Sequence, residues 1–379
     1  MEEVGPTEET LLQQAVNRLQ TMLPPRWVVG VQQQVTQSTD SAGQPIKVDQ
    51  ITVQTLPAGA TAALLVEARS SFSPRDAARL FEGIAKTFRA VNPNNPLLLV
   101  APWLSPRTRE ILQRQDINYL DLTGNVRIAL SYPGTFISAQ GSNRDPAPQV
   151  RGKAGIRGPR AGRLIRELVD VAPPYGVTEL ATATGLAAGY VSSLLEALSD
   201  EALIDRPPRG KLSRVDIEGL LRRWVVSYDV LRSNRSSTFV SPQGPVAALR
   251  EMSSTQTPTR YAVTGSFAAS RIAPVAAPAL LMAYCQDSAE MAGRIGLLPA
   301  DTGANVVLLE PFDPIVWERT AEADGIKYVA PAQVVMDCLT GTGRMPAEGD
   351  AVLAWMLKDE SRWRISTKDP ALHSWAARE

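Results

Sequence analysis

Residues 177–198, VTELATATGLAAGYVSSLLEAL, constrain the chain more than any other stretch. Two helices that meet in a tight turn need a small residue where they touch, a glycine for a left-handed backbone four residues later, and an apolar residue six further on. Ala181, Gly185 and Val191 meet that spacing, and Leu180, Leu186, Leu194 and Leu195 fill the remaining inward positions. Just upstream, GRLIRELVDVA (162–172) places Leu164, Ile165, Leu168 and Val169 on one stripe of a third helix. An ordinary helical hairpin would share the turn glycine. Agreement of spacing, side-chain size and hydrophobicity along the whole stretch favours a helix-turn-helix.

The segment that follows, IDRPPRGKLSRV (204–215), reads as two short strands around a basic turn bearing Arg206, Arg209 and Lys211. Ahead of the helices, residues 141–166 hold seven basic side chains against one acid, with a Gly/Pro content that suits neither a helix nor a central strand. Helix-turn-helix, basic wing and basic arm together predict a winged-helix module that binds double-stranded DNA. The whole chain carries 39 basic and 39 acidic residues, so such a contact has to be local.

In the same register Ala188, Gly189, Tyr190, Ser192, Ser193 and Glu196 point outward. Small and hydroxyl side chains allow close approach and hydrogen bonds to base edges or phosphates, but no arginine there is placed to grip a guanine. Affinity is then expected from the wing residues and from Arg151, Lys153, Arg157, Arg160 and Arg163 of the arm, acting on phosphates or in the minor groove.

Other chemistry is limited by what the chain lacks. His373 is the single histidine and lies near the C-terminus, which argues against histidine acid/base catalysis, catalytic triads and His-ligated metals. Cys285 and Cys338 each sit in an apolar run without a CxxC pair, and read as buried thiols of a reducing cytoplasm. The acidic opening MEEVGPTEET predicts no signal peptide, and no apolar stretch reaches membrane-span length. The expected protein is cytoplasmic, with no membrane partner, no cofactor and no metal.

Before the arm, a capped helix (Thr7 to Leu23), the strands WVVGVQQQV, DQITVQTL and TAALLVEAR, a helix from Ser73, the strand PLLLVA, a helix from Ser105 and the strands INYLDL and NVRIAL predict a mixed sheet covered by helices. This order resembles the PD-(D/E)XK nuclease fold. The resemblance places Asp49 at the start of the second strand and Glu67 at the end of the third, as carboxylates for a divalent metal, with Arg69 where the family has lysine. Arginine keeps the charge but cannot act as a base, so the expectation is an inactive domain, open to an unknown ligand, nucleic-acid or protein signal. YLDLTGNVRI adds Asp121 and Asn125 beside a turn glycine as an exposed candidate.

After the wing, RYAVTGSFAASRIAP, ALLMAYC, NVVLLEPF, IKYVAPAQVVMDCL and EGDAVLAWML alternate strands with helices. Thr264-Gly265-Ser266 at a strand-to-helix turn resembles the nucleotidyltransferase fold, which implies Gly265 and Ser266 as phosphate-binding candidates. The carboxylate pair that fold needs is missing from PVAAPALLMAY. From about 160 to the C-terminus, the winged helix with VTGSFAASR, YVAPAQVVMDCLTGTGRMPAE and AWML resembles the AbiEi-type antitoxin family of type IV toxin-antitoxin systems and related bacterial regulators. That resemblance implies a DNA-binding repressor.

The chain is thus expected to be an α/β multidomain protein: a mixed-sheet nuclease-like domain (1–140), a basic flexible arm (141–161), a winged helix-turn-helix (162–215) and a nucleotidyltransferase-like α/β domain (216–379). Its expected function is transcriptional regulation, not catalysis, with room for a homodimer. One alternative is a metal-dependent DNA nuclease targeted by the winged helix, which requires Asp49 and Glu67 to converge beside Arg69; the other is a nucleotidyltransferase toxin-like enzyme, against which the missing carboxylate pair argues.

Overall fold

The computed structural model describes residues 7–39, 45–57, 59–80, 95–147, 155–207, 210–254 and 260–366. Among them it has 13 α-helices and two mixed seven-stranded sheets, divided into two compact units: Met1–Gly152 with Asp200–Ala202, and Lys153–Ser199 with Leu203–Glu379. No helix among the described residues is long and apolar enough to cross a membrane.

The first unit is a sheet whose strands lie in sequence order: β1 (Trp27–Thr39), β2 (Pro45–Thr55), β3 (Thr61–Ala68), β4 (Leu97–Ala101), β5 (Asn118–Asp121), β6 (Val126–Leu130) and β7 (Thr135–Ala139). β3, β4 and β5 run parallel and the outer pairs antiparallel. Helix α1 (Glu8–Met22), capped by the Thr7 hydroxyl, lays Leu11, Leu12, Ala15 and Leu19 on one face against Ile51, Leu64, Val66 and Leu98. On the other face α2 (Pro74–Leu80) and α3 (Pro106–Arg114) cover Leu99 and Tyr119. The turn after β5 is a closed polar knot. Asp121 and Asn125 are wholly buried, with Asp121 accepting from the backbone N–H groups of Leu104, Thr123 and Asn125. The expectation of an exposed pair is therefore corrected: Asp121 is spent on backbone N–H groups and on the Asn125 side chain, which donates to it at 2.7 Å.

The second unit begins with α4 (Gly158–Asp170), β8 (Val171–Ala172), α5 (Val177–Thr184), α6 (Ala188–Asp200) and the antiparallel pair β9 (Ile204–Asp205) and β10 (Arg214–Val215). After α7 (Ile217–Trp224) and α8 (Val230–Ser233) comes the sheet order β14-β11-β15-β13-β12-β17-β16, built from β11 (Arg235–Val240), β12 (Tyr261–Thr264), β13 (Leu281–Cys285), β14 (Leu298–Pro299), β15 (Val306–Glu310), β16 (Ala321–Ala323) and β17 (Ile326–Tyr328). Helices α9 (Pro245–Ser254), α10 (Gly265–Ile272), α11 (Ser288–Arg294), α12 (Pro331–Leu339) and α13 (Met345–Lys358) complete it, and β18 (Ile365–Ser366) pairs with β8. Cys285 and Cys338 are buried free thiols.

Two expected boundaries dissolve here. Ile156 is buried and α4 starts at Gly158, so the end of the anticipated flexible arm is packed structure. Nor does a boundary fall at 215/216, because one apolar core runs from Leu164, Ile165 and Leu168 through Leu220 and Trp224 to Val334 and Val352. The physical reason is α4 itself, which buries Arg166, Glu167 and Asp170 as well as its apolar stripe. Gly162 permits the closest approach, since a Cβ there would stand 2.6 Å from a ring carbon of Trp224.

A buried polar network joins α4 to the centre of the second sheet. Arg166, 1% exposed, donates to Asp170 and to the Gln333 side-chain oxygen at 2.8 Å. Gln333 donates on to Asp337, which also accepts from Tyr228, Tyr284 and Thr264 at 2.6–3.0 Å. Burial pushes the Asp337 carboxyl up to about 6, against the opposing pull of those four donors. Folding thus favours its protonated form. This contribution to stability is complete below the ordinary value of 3.8 and is lost as pH rises through about 6. Unfolding free energies measured from pH 4 to 7 should contain that decline in the wild type and lack it in Asp337→Asn; identical pH profiles would show that Asp337 does not titrate there.

Candidate nucleic-acid interface

Helices α5 and α6 meet at Gly185, which caps α5 in the left-handed region at φ 66° and ψ 20°. A side chain with a Cβ is strained in that conformation, and glycine is not. The Leu186 N–H closes back on the Ala181 carbonyl at 3.2 Å. Leu180, Val191, Leu194 and Leu195 are buried against α4 and its neighbours. The β9–β10 hairpin follows the helices, and a bridge from Leu212 to Tyr175, just ahead of α5, ties it back to the segment that enters them.

The outer face of α6 is open. Ala188, Gly189 and Glu196 are exposed, Tyr190, Ser192 and Ser193 are half-buried, and nothing lies within 4 Å of where a Gly189 side chain would begin. Beside its first turn, a cavity of about 410 Å³ is lined by Arg157, Gly158, Pro159, Arg160, Arg163, Tyr190 and Asp313. A neighbouring one of about 360 Å³ shares Arg160, Arg163 and Tyr190 and reaches Gly185, Leu186 and Ala187. Arg157 and Arg160 are exposed, and among the described residues neither makes an ion pair. Desolvation raises the Tyr190 phenol while the nearby Arg160 charge opposes it. This is an open, cationic pocket at the start of the exposed helix, suited to an anion such as a backbone phosphate.

The basic residues anticipated for DNA do not all face solvent freely. Arg163 donates from Nε and Nη2 to Asp313 at 3.1 and 2.7 Å, and from Nη1 to the Thr184 carbonyl at 3.1 Å. Lys211 pairs with Glu179 at 2.6 Å, both more than half exposed, a contact of small energetic weight in water. Arg206 is half-buried. Arg151, Lys153 and Arg209 lie outside the described residues. Asp313 is the site residue that sequence reasoning missed. It lies 150 positions from Arg163, and no local pattern connects the two.

The other two candidate sites are closed or divided. Asp49 pairs with Val66 in the antiparallel register, so its side chain shares the α1 face with Ile51 and Val53. Glu67 pairs with Leu99 and projects from the opposite face, where Arg69 Nε donates to it at 2.7 Å. The two carboxylates do not converge, and the period-two alternation of a strand is the reason. Among the described residues no three His, Cys, Asp or Glu side chains are placed to hold a metal. Gly265 and Ser266 do open α10, yet the buried Ser266 hydroxyl donates to Glu348 at 2.6 Å and Met282 and Met345 crowd Gly265. A phosphate there would meet a carboxylate instead of a free hydroxyl, so the phosphate-binding expectation is corrected too.

No protein-family model, curated protein or solved structure matches the chain.

Proposed function

We propose that the chain is a DNA-binding transcriptional regulator that docks duplex DNA through the exposed face of α6, as the recognition helix of a winged helix-turn-helix. The observation that carries this reading is the left-handed Gly185 turn between α5 and α6, with an open face of small and hydroxyl residues beside the Arg157–Arg160 pocket. The antiparallel β9–β10 pair, which follows α6 in sequence, supports a wing in this reading. The AbiEi-type resemblance of this half of the sequence supports the same class and implies repression. Separation of Asp49 from Glu67 disfavours the metal-dependent nuclease alternative.

A genome-wide binding map should find a few occupied promoters and supply the operator. On that operator, Arg157→Ala with Arg160→Ala should weaken specific and random duplexes alike. It should also flatten the plot of log affinity against log salt by up to about 0.9 for each lost phosphate contact. An unaltered slope would remove these arginines from the interface.

A further inference from the structure

Resting on the duplex-DNA reading, we propose that Asp313 is an affinity-limiting residue of the interface: its carboxylate takes the place of a DNA phosphate at Arg163. The C-terminal half of the chain thereby sets how many phosphates the interface neutralises.

Arg157, Arg160 and Arg163 recur every three residues at the start of α4 and line one cavity, but they are not equivalent. Arg163 is 31% exposed while its partner Asp313 is 4% exposed, so the guanidinium faces the cavity and the acid backs it. The two-pronged contact uses the same fork with which arginine grips a phosphate. Carboxylate and phosphate therefore compete for one set of N–H donors. With Asp313 in place, the +1 of Arg163 is cancelled at contact distance, well inside the roughly 10 Å over which salt leaves charges visible.

The acid does not owe its position to the arginine. Its Oδ1 accepts from the Ile315 N–H at 2.9 Å, capping the 3-10 turn Pro314–Trp317, and the adjoining Phe312 ring packs over Gly162 of α4. When Arg163 turns toward DNA, Asp313 remains, and the encounter carries a standing electrostatic opponent. Such an acid penalises sequence-independent phosphate binding, in which base contacts offer no compensation.

The test compares the purified full chain with Asp313→Asn on a short mixed-sequence duplex and on a mapped operator across a salt series. The variant should bind both roughly fivefold or more tightly at low salt, with a salt slope steeper by up to about 0.9, the value of one added phosphate contact. In an Arg163→Gln background the same substitution should no longer tighten binding. Should asparagine lower the thermal midpoint, Asp313→Ser still accepts from the Ile315 N–H and removes the charge. A folded, charge-free variant with unchanged or weaker binding and an unchanged slope overturns the proposal, leaving Asp313 a brace for α4. If wild type and variant alike bind no duplex at low salt, the DNA reading itself falls, and the proposal with it.

Discussion

Arg166→Ala lowers the unfolding free energy of the second unit by about 3–5 kcal/mol, the expected cost of removing one partner from a buried charge pair. The side chain is almost wholly inaccessible and its donors reach Asp170 and Gln333. Without it, Arg319 at 3.4 Å is the one cationic partner left to Asp170 among the described residues, and the Gln333 oxygen loses the Arg166 donor in a dry interior. Arg319 also binds Glu167, so α4 is tied to the second sheet through three charged side chains of its own. Urea titration of the full chain, followed by a probe in the second unit, measures the loss. A decrease under about 1 kcal/mol would mean that water enters the site and that the network is not a structural tie.

Replacing both Ser192 and Ser193 with Glu should abolish duplex binding, with affinity falling about 100-fold or more, because like charges brought together at an interface cost several kcal/mol. Both serines are half-buried on the outer face of α6, next to the buried Val191 and Leu194 that hold the helix in place. The substitutions therefore change the charge of that face more than its packing. Circular dichroism and thermal midpoints near those of the wild type must accompany the loss. Mobility shifts that survive in a folded double variant would place any DNA contact elsewhere and refute α6 as the recognition helix.

The short-range features of the chain were legible because they depend on neighbours in sequence. Ala181, Gly185 and Val191 specify a turn through backbone sterics and spacing, and Gly185 takes the left-handed conformation the spacing demands. Thr7 was readable as a helix cap for the same reason, satisfying an N–H three residues ahead, and Ser105 was readable as a helix start, where its hydroxyl makes the equivalent bond. Six strand runs of the first unit also followed from composition and the sheet preserves their order, but the edge strand β7 was not among them.

Contacts between distant residues were decided by the tertiary structure alone. Asp49 and Glu67 had the right residue types, but the register between β2 and β3 put them on opposite faces, and a shift of one residue would have reversed that outcome. Ser266 stood at a helix start as anticipated, and Glu348, 82 positions away, claimed its hydroxyl. Arg163 read as one more basic residue of an arm until Asp313 was found against it. The sequence by itself determined which segments turn, cap and pair locally, because those energies act over a few bonds. Which charges remain available to a ligand was determined only when folding brought together side chains 82 to 150 positions apart, since burial and ion pairing depend on distance in space.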